Sequence, residues 1–254
     1  MVYLDHWAFR KFASDSKLAF RFGAALRARN GTLALSWLNL GEYTTVSDLE
    51  QRREAERFVD GVLPAIFVLD VDLAAVDNRE RANDPLPHAN RALASLFVSA
   101  GTPDRPFTAT GVFEQLSDSR LVGTLDRLAA NVRSRLVDLR EEHRTTKDFQ
   151  EAVRHSAHPE ALARTTRTRA IVRALAETFF PDLRRIIKPN DAIDFLHAAI
   201  PSVYCDMVLL DGATWDYLER ARKKLSKASI RMATAFSGKR DGVNLFLNHL
   251  EKPN

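Results

Sequence analysis

Short apolar runs alternate with longer amphipathic stretches along the first part of the chain. Val2-Tyr3-Leu4 is a β-prone run ending at Asp5, and the apolar spacing from Trp7 onward predicts one helix closed by Asn30-Gly31. TLALSWLNL repeats the scheme, with a strand through about Trp37 and a charged amphipathic helix from Gly41 to about Val62. Pro64 introduces AIFVLDVDL, a third buried strand, and Asn83-Asp84-Pro85 marks a break. From there to Pro189 the pattern is helical. Its segments are HANRALASLFVSA, RLVGTLDRLAANVRSRLVDLREEH and PEALARTTRTRAIVRALAETFF. In the second, Leu121, Leu125, Leu128, Val132, Leu136 and Leu139 fall on one stripe. After Pro189 the alternation returns: Asn190 is a good N-cap for DAIDFLHAAI, which Pro201 ends, then CDMVLL reads as a strand, GATWDYLERARKKL as a helix and ASIRMATAF as one more strand.

Strands alternating with helices predict an α/β fold with a mostly parallel sheet covered on both faces, because parallel neighbours need crossover connections. The helical block is too long for one crossover. Residues 1–84 and 189–254 therefore read as the α/β domain, and 85–188 as a large helical insertion or subdomain.

Composition narrows the class. A chain of 254 residues that is 45% hydrophobic and 28% charged has enough apolar material for a sizeable core. No run approaches the roughly 20 apolar residues of a membrane span, and MVYLDHW lacks the shape of a signal peptide, so the expectation is a cytoplasmic protein with no membrane partner. The single cysteine, Cys205, excludes an internal disulfide and cysteine-based metal sites. It reads as a small buried apolar residue.

Charge is unevenly spread. Against a total of +4, the segment Glu219 to Arg240 holds eight basic residues and one acid, a local +7 that leaves −3 for the remainder. Arg220, Lys223, Lys224 and Lys227 recur at threes and fours, forming a positive stripe suited to a nucleic-acid backbone. A second basic stretch carries Arg164, Arg167, Arg169 and Arg173. A solvated helix face explains such charge equally well.

Acids at strand ends matter more, because ligands of open parallel sheets bind beyond the carboxyl ends of the strands. Asp5, Asp70 and Asp211 end strands, Glu42 opens the helix after the second, and Asp194 lies on the helix before CDMVLL. Carboxylates converging on one point repel, and the usual remedy is a hard divalent cation, Mg²⁺ or Mn²⁺. That toolkit suits phosphodiester hydrolysis. Taken singly, each acid is explained as well by helix capping or the helix dipole.

VYLDHWAF, LSWLNLGEY and NDAIDFLHAAIPSVYCDMVLLDGATWDYL resemble, in order and position, the three acidic signatures of PIN-like domains, and IFVLDVDLAAV is similar to the strand that follows the second. The resemblance covers residues 1 to about 76 and 189 to about 225. It implies a three-layer α/β/α sandwich and metal-dependent ribonuclease or flap-type nuclease activity, the leading expectation being an endoribonuclease that binds RNA, with toxin, phage-defence and RNA-processing roles all open. Asp5, Glu42, Asp194 and Asp211 match the family's catalytic, metal-holding acids. Asp194 is preferred to Asp191 because it stands three residues before His197, while Asp191 and His197 are placed in a supporting shell. His6-Trp7 departs from the small polar pair that commonly follows the first acid, and Leu209 from the Thr or Ser that often precedes the last.

Two other readings compete. Asp70-x-Asp72 after an apolar run suggests a haloacid-dehalogenase-type phosphatase with Asp70 as nucleophile, although two βα units precede the motif. A catalytically silent PIN-like module would bind nucleic acid, or a protein through the helical block. Trp7 and Trp215 read as core aromatics at sheet ends, either able to stack a base if exposed.

Overall fold

The computed structural model of the chain describes residues 1–44, 47–84, 87, 89, 121–181, 189–239 and 241–252. Its strands are β1 (Val2–Leu4), β2 (Leu33–Ser36), β3 (Ile66–Leu69), β4 (Met207–Leu210) and β5 (Thr234–Ser237). They form one sheet in the order β3-β2-β1-β4-β5, every pairing parallel. The chain builds outward from β1 on one side through β2 and β3, then returns to its other side with β4 and β5. The order therefore reverses at β1, and a crevice opens at such a point.

Alternate residues of the central strands feed two cores. Val2, Leu4, Leu33, Leu35, Met207 and Leu209 face one, while Tyr3, Ala34, Val208 and Leu210 face the other. The first core is closed by α1 (His6–Ala13), α2 (Ser16–Ala28), α4 (Leu49–Val62) and α12 (Gly242–Leu250), through Phe9, Phe12, Phe22, Phe58 and Phe246. The second is closed by α5 (Leu73–Arg81), α6 (Leu121–Thr145), α7 (Lys147–Ser156), α8 (Pro159–Ala163), α9 (Arg167–Phe179), α10 (Pro189–Tyr204) and α11 (Gly212–Lys227). α3 (Trp37–Thr44) follows β2 directly.

The described part of the helical block shares this second core. Leu136, Val153, Leu162 and Leu175 pack in one cluster with Tyr3 and Val208 of the sheet. The arginine-rich stretch is part of the seam: Arg169 pairs with Asp77 of α5, and the Nε of Arg167 donates to the carbonyl of Arg231. On the hydrophobic stripe of α6, Leu136 is buried and Val132 and Leu139 pack beside it, while the side chains of Leu121, Leu125 and Leu128 lie outside the described residues. The helix expected at HANRALASLFVSA also lies outside them, apart from Ala89, which bridges Leu69.

Several boundaries differ from expectation for local reasons. The first helix breaks in two because Asp15 caps α2, accepting from the N–H groups of Lys17 and Leu18 at 3.0 and 3.1 Å. β2 stops at Ser36, and α3 begins at once. α10 already includes Asn190, which is therefore not its N-cap, and it runs through Pro201 to Tyr204. Proline removes one N–H bond near the helix end, while Ile200, Ser202 and Val203 remain buried around it. Cys205 is buried as expected. α12 had no counterpart among the expected elements. No helix among the described residues is long and apolar enough to cross a membrane.

Candidate active site

Asp5 and Asp211 follow neighbouring strands, β1 and β4, on the side of β1 where the strand order reverses. Each caps the next helix. Asp5 Oδ1 accepts from the Ala8 N–H at 2.8 Å, and Asp211 Oδ1 from Ala213 and Thr214 at 2.7 and 3.3 Å. Capping accounts for one oxygen of each. The second oxygen of Asp5 accepts the backbone N–H of Asp211 itself, which ties the two strand ends together. The second oxygen of Asp211 is buried and has no hydrogen-bond partner among the described residues. A buried carboxylate oxygen left in that condition is costly and marks a place where a ligand would fit.

Asp194 comes from the second turn of α10, and its carboxyl is raised to about 7 by burial and by the charges of Asp211, Asp5 and Glu42, against the pull of His197. It receives no hydrogen bond among the described residues. A cavity of about 20 Å³, lined by Asp191, Asp194, Thr214 and apolar side chains including Phe179 and Phe195, adjoins it. Asp5 is raised to about 6, first by burial and then by Asp211, with the Ala8 and Asp211 N–H bonds and His197 acting against. These mutual effects place the four sequence-selected acids within one electrostatic neighbourhood.

His197 binds elsewhere than expected. It is fully buried, and its Nε2 lies 3.2 Å from Oε2 of Glu42 rather than on Asp194. His6 Nδ1 approaches the same Glu42 oxygen at 3.4 Å. Burial pulls His197 down, but Glu42, Asp5 and Asp194 outweigh it and hold the imidazole above its ordinary value. His6 is pulled down, chiefly by burial, with Glu42 opposing.

Behind His197 runs a polar chain that sequence reasoning missed. His197 Nδ1 meets the Tyr3 hydroxyl, Tyr3 lies 3.1 Å from Ser36 Oγ, and Ser36 Oγ donates to Asn39 Oδ1 at 3.0 Å. Asn39 Nδ2 then donates to the carbonyl of Leu4 at 3.1 Å, one residue before Asp5. The Ser36 N–H also donates to Asn39 Oδ1, a reciprocal arrangement of the capping-box kind that starts α3 and so fixes Glu42. An imidazolium at His197 donates to Tyr3, giving every hydroxyl in the chain one donor and one acceptor role. The available signal was Ser36-x-x-Asn39 at a strand-to-helix junction.

The remaining residues fall elsewhere. Asp191 is buried in the first turn of α10 and lines the cavity with Asp194. Asp70 follows the edge strand β3, where it pairs with Arg79 at 2.9 Å and accepts the N–H of Asp72, itself the cap of α5. This placement gives the phosphatase reading no support.

On α11, Arg220, Lys223 and Lys227 are exposed, with the Arg220 guanidinium 5.8 Å from the Tyr217 ring, but Lys224 pairs with Glu177 of α9 at 2.6 Å. The +7 segment is spent further on Arg222 with Glu219 and on Lys239 with Asp216, and Arg240 lies outside the described residues. Trp215 donates to the Ala235 carbonyl at 3.3 Å, whereas Trp7 is 37% exposed.

All donors in the cluster apart from the histidines are carboxylate oxygens, the chemistry of a hard-cation site. Among the described residues no three His, Cys, Asp or Glu side chains already stand as a group that could hold an ion. Asp211 Oδ2 and the Asp194 carboxylate have open acceptor capacity among the described residues, while Glu42 is hydrogen-bonded by His197 and approached by His6. Comparison with protein-family models, with curated proteins and with solved structures returns no match, so function rests on the site itself.

Proposed function

We propose that the chain is a metal-dependent nuclease of the PIN-like kind that hydrolyses phosphodiester bonds, with RNA as the expected substrate. What supports this reading is that Asp5 and Asp211, at the ends of neighbouring strands where the strand order reverses, are joined by the Asp211 N–H on Asp5, that Asp211 Oδ2 is buried with no hydrogen-bond partner among the described residues, and that Glu42 and Asp194 lie near enough to act on the same charges. Asp194 and Asp211 would hold Mg²⁺ or Mn²⁺, with Asp5 and Glu42 contributing charge. Such an ion supplies Lewis-acid charge for a phosphate oxygen and a more acidic water. Asp5 ties the ends of β1 and β4, so Asp211 keeps its bare oxygen turned inward. His197, braced by Tyr3, holds Glu42 in place.

The test is cleavage of labelled single-stranded RNA with Mg²⁺, Mn²⁺ or EDTA, for the natural chain and for Asp194→Asn and Asp211→Asn. Loss of cleavage in EDTA and in both variants is expected. Cleavage that survives EDTA and both substitutions sinks the reading. A silent nucleic-acid-binding module is the second reading, favoured by the engagement of Glu42 with His6 and His197. Retained binding with no cleavage in any metal selects it.

A further inference from the structure

Beside the acids, a groove of about 510 Å³ runs between α1 and α4, lined by His6, Trp7, Arg10, Lys11, Tyr43 and Glu54 among others. The helical period explains one wall. Ala8, Phe9 and Phe12 turn into the core, which leaves Trp7, Arg10, Lys11 and Ser14 along the outer face of α1. Arg10 and Lys11 are exposed, and neither forms an ion pair among the described residues. The charge of Arg10 reaches His6 and Tyr43 at the inner end of the groove. His6 joins groove to acids through its approach to Glu42.

Position separates these cations from the basic stripe of α11. At 1.5 Å per residue, Arg10 lies roughly 8 Å along α1 from Asp5, whereas Lys223 and Lys227 lie roughly 18 and 24 Å along α11 from Asp211. α11 leaves the carboxyl edge and carries its lysines away from the site. The six-membered ring of Trp7 rests on Gly238, where an added Cβ would come within 2.9 Å of it, so backbone supports the indole while part of it faces solvent. Glu54 on the opposite wall disfavours phosphates there and directs them to α1.

Deepening the reading of the acids as a phosphodiester site, on which it rests, we propose that this groove receives a single strand of nucleic acid. Arg10 and Lys11 neutralise the phosphates next to the one at the acids, and Trp7 stacks the neighbouring base. A duplex keeps its bases paired and stacked internally and offers Trp7 none, so the groove discriminates against it.

The experiment measures binding of labelled single-stranded RNA, single-stranded DNA and a duplex to the full chain across a salt series in EDTA. Arg10→Gln with Lys11→Gln is expected to weaken single-strand binding about tenfold and lower the salt slope by about 1.4, twice the roughly 0.7 per phosphate contact. Trp7→Ala is expected to weaken it about tenfold with the slope unchanged, and Trp7→Phe to restore most of the loss. Thermal melts establish that each variant is folded. Equal loss with RNA and DNA places recognition on backbone and base face, while loss confined to RNA adds the 2′-hydroxyl to it.

Unchanged affinity in the groove variants, tighter binding of duplex than of single strand, or no binding of any strand by the natural chain overturns the inference. Hydrolysis is separable from it. A chain that cleaves with metal but whose KM ignores these substitutions keeps the nuclease and loses the groove. One that binds through Arg10, Lys11 and Trp7 yet cleaves nothing keeps the groove and loses the nuclease.

Discussion

Two clusters of buried and half-buried acids are built from the same residue types on opposite terms. In the seam between α5 and α9, Asp77 meets Arg81 at 3.1 Å and also binds Arg169 and Thr166. Glu80 there accepts from the Thr168 N–H and hydroxyl, both at 2.9 Å, and from Tyr204 at 2.7 Å. Each carboxylate has a cation or several donors, and the result is two helices locked together. At the carboxyl edge of β1 and β4, the acids are acted on by one another's charge instead. Asp194 and Asp5 are pushed up to about 7 and about 6, Asp211 keeps a buried oxygen without a hydrogen-bond partner among the described residues, and the His197 that opposes their repulsion is itself bonded to Glu42. A satisfied cluster stabilises; an unsatisfied one stores electrostatic cost that a bound cation would relieve.

Removing an acid from each cluster gives the largest contrast. Asp194→Asn should lower metal-dependent cleavage by about 10² to 10³, the usual effect of losing one electrostatic contact to the reacting group, while raising stability in EDTA at pH 8 by roughly 1 to 3 kcal/mol. Glu80→Ala should do the reverse. It strands the Tyr204 hydroxyl and two donors of Thr168, costs about 2 to 3 kcal/mol in denaturant unfolding, and spares cleavage. If Asp194→Asn destabilises as Glu80→Ala does, the two clusters are of one kind and the contrast fails.

How legible this was in the sequence depends on how local the cause is. The acids at strand ends were readable because a parallel strand followed by a helix puts its terminal residue at one edge of the sheet whatever its neighbours do. That singles out Asp5 and Asp211, and the same reading of strand and helix order adds Glu42 at the start of the helix after β2 and Asp194 on the helix before β4. The partner of His197 was not readable. The three-residue spacing to Asp194 suits a contact along one helix, but the ring is drawn to Glu42 and Tyr3 by the packing of α10 on the sheet. The Tyr3, Ser36 and Asn39 chain depends on the register that sets Tyr3 beside Ala34, so that Ser36 falls on the same face two residues on. Net charge misled for a similar reason. Counting lysines and arginines cannot show which have acids across a helix interface.

The same contrast predicts a pH dependence with a definite sign. Asp194 and Asp5 hold protons in the folded chain well above the ordinary value of 3.8, and His197 also holds its proton above 6.5. Through these three groups the folded state binds more protons than the unfolded one from about pH 4 upward, so stability in EDTA falls as pH rises, most of it by about pH 7 for the two acids and further as His197 loses its proton, with His6, pulled below its ordinary 6.5, opposing part of it near pH 6. A loss on the order of 1 to 3 kcal/mol between pH 5 and pH 8 is expected in denaturant titrations. Asp194→Asn should flatten the curve, and saturating Mn²⁺ should flatten it too by favouring the ionised acids. Stability that rises over this range would mean that the edge carboxylates are paired like those of the seam.

The smallest effects belong to α11, where sequence arithmetic and geometry part. Lys224 spans to Glu177 on α9, so Lys224→Gln should cost about 0.5 kcal/mol, the worth of a partly exposed pair, and leave nucleic-acid binding alone. Lys223 and Lys227 are exposed and face no such acid, so replacing both with Gln should leave stability within about 0.5 kcal/mol. If a long strand reaches this face, each loss lowers the salt slope by about 0.7, and a short strand confined to the acids and the groove shows no change. Binding of short strands that falls with Lys223 and Lys227 but not with Arg10 and Lys11 would reverse the assignment, making the helix that leaves the site, rather than the one that starts at Asp5, the surface that grips the substrate.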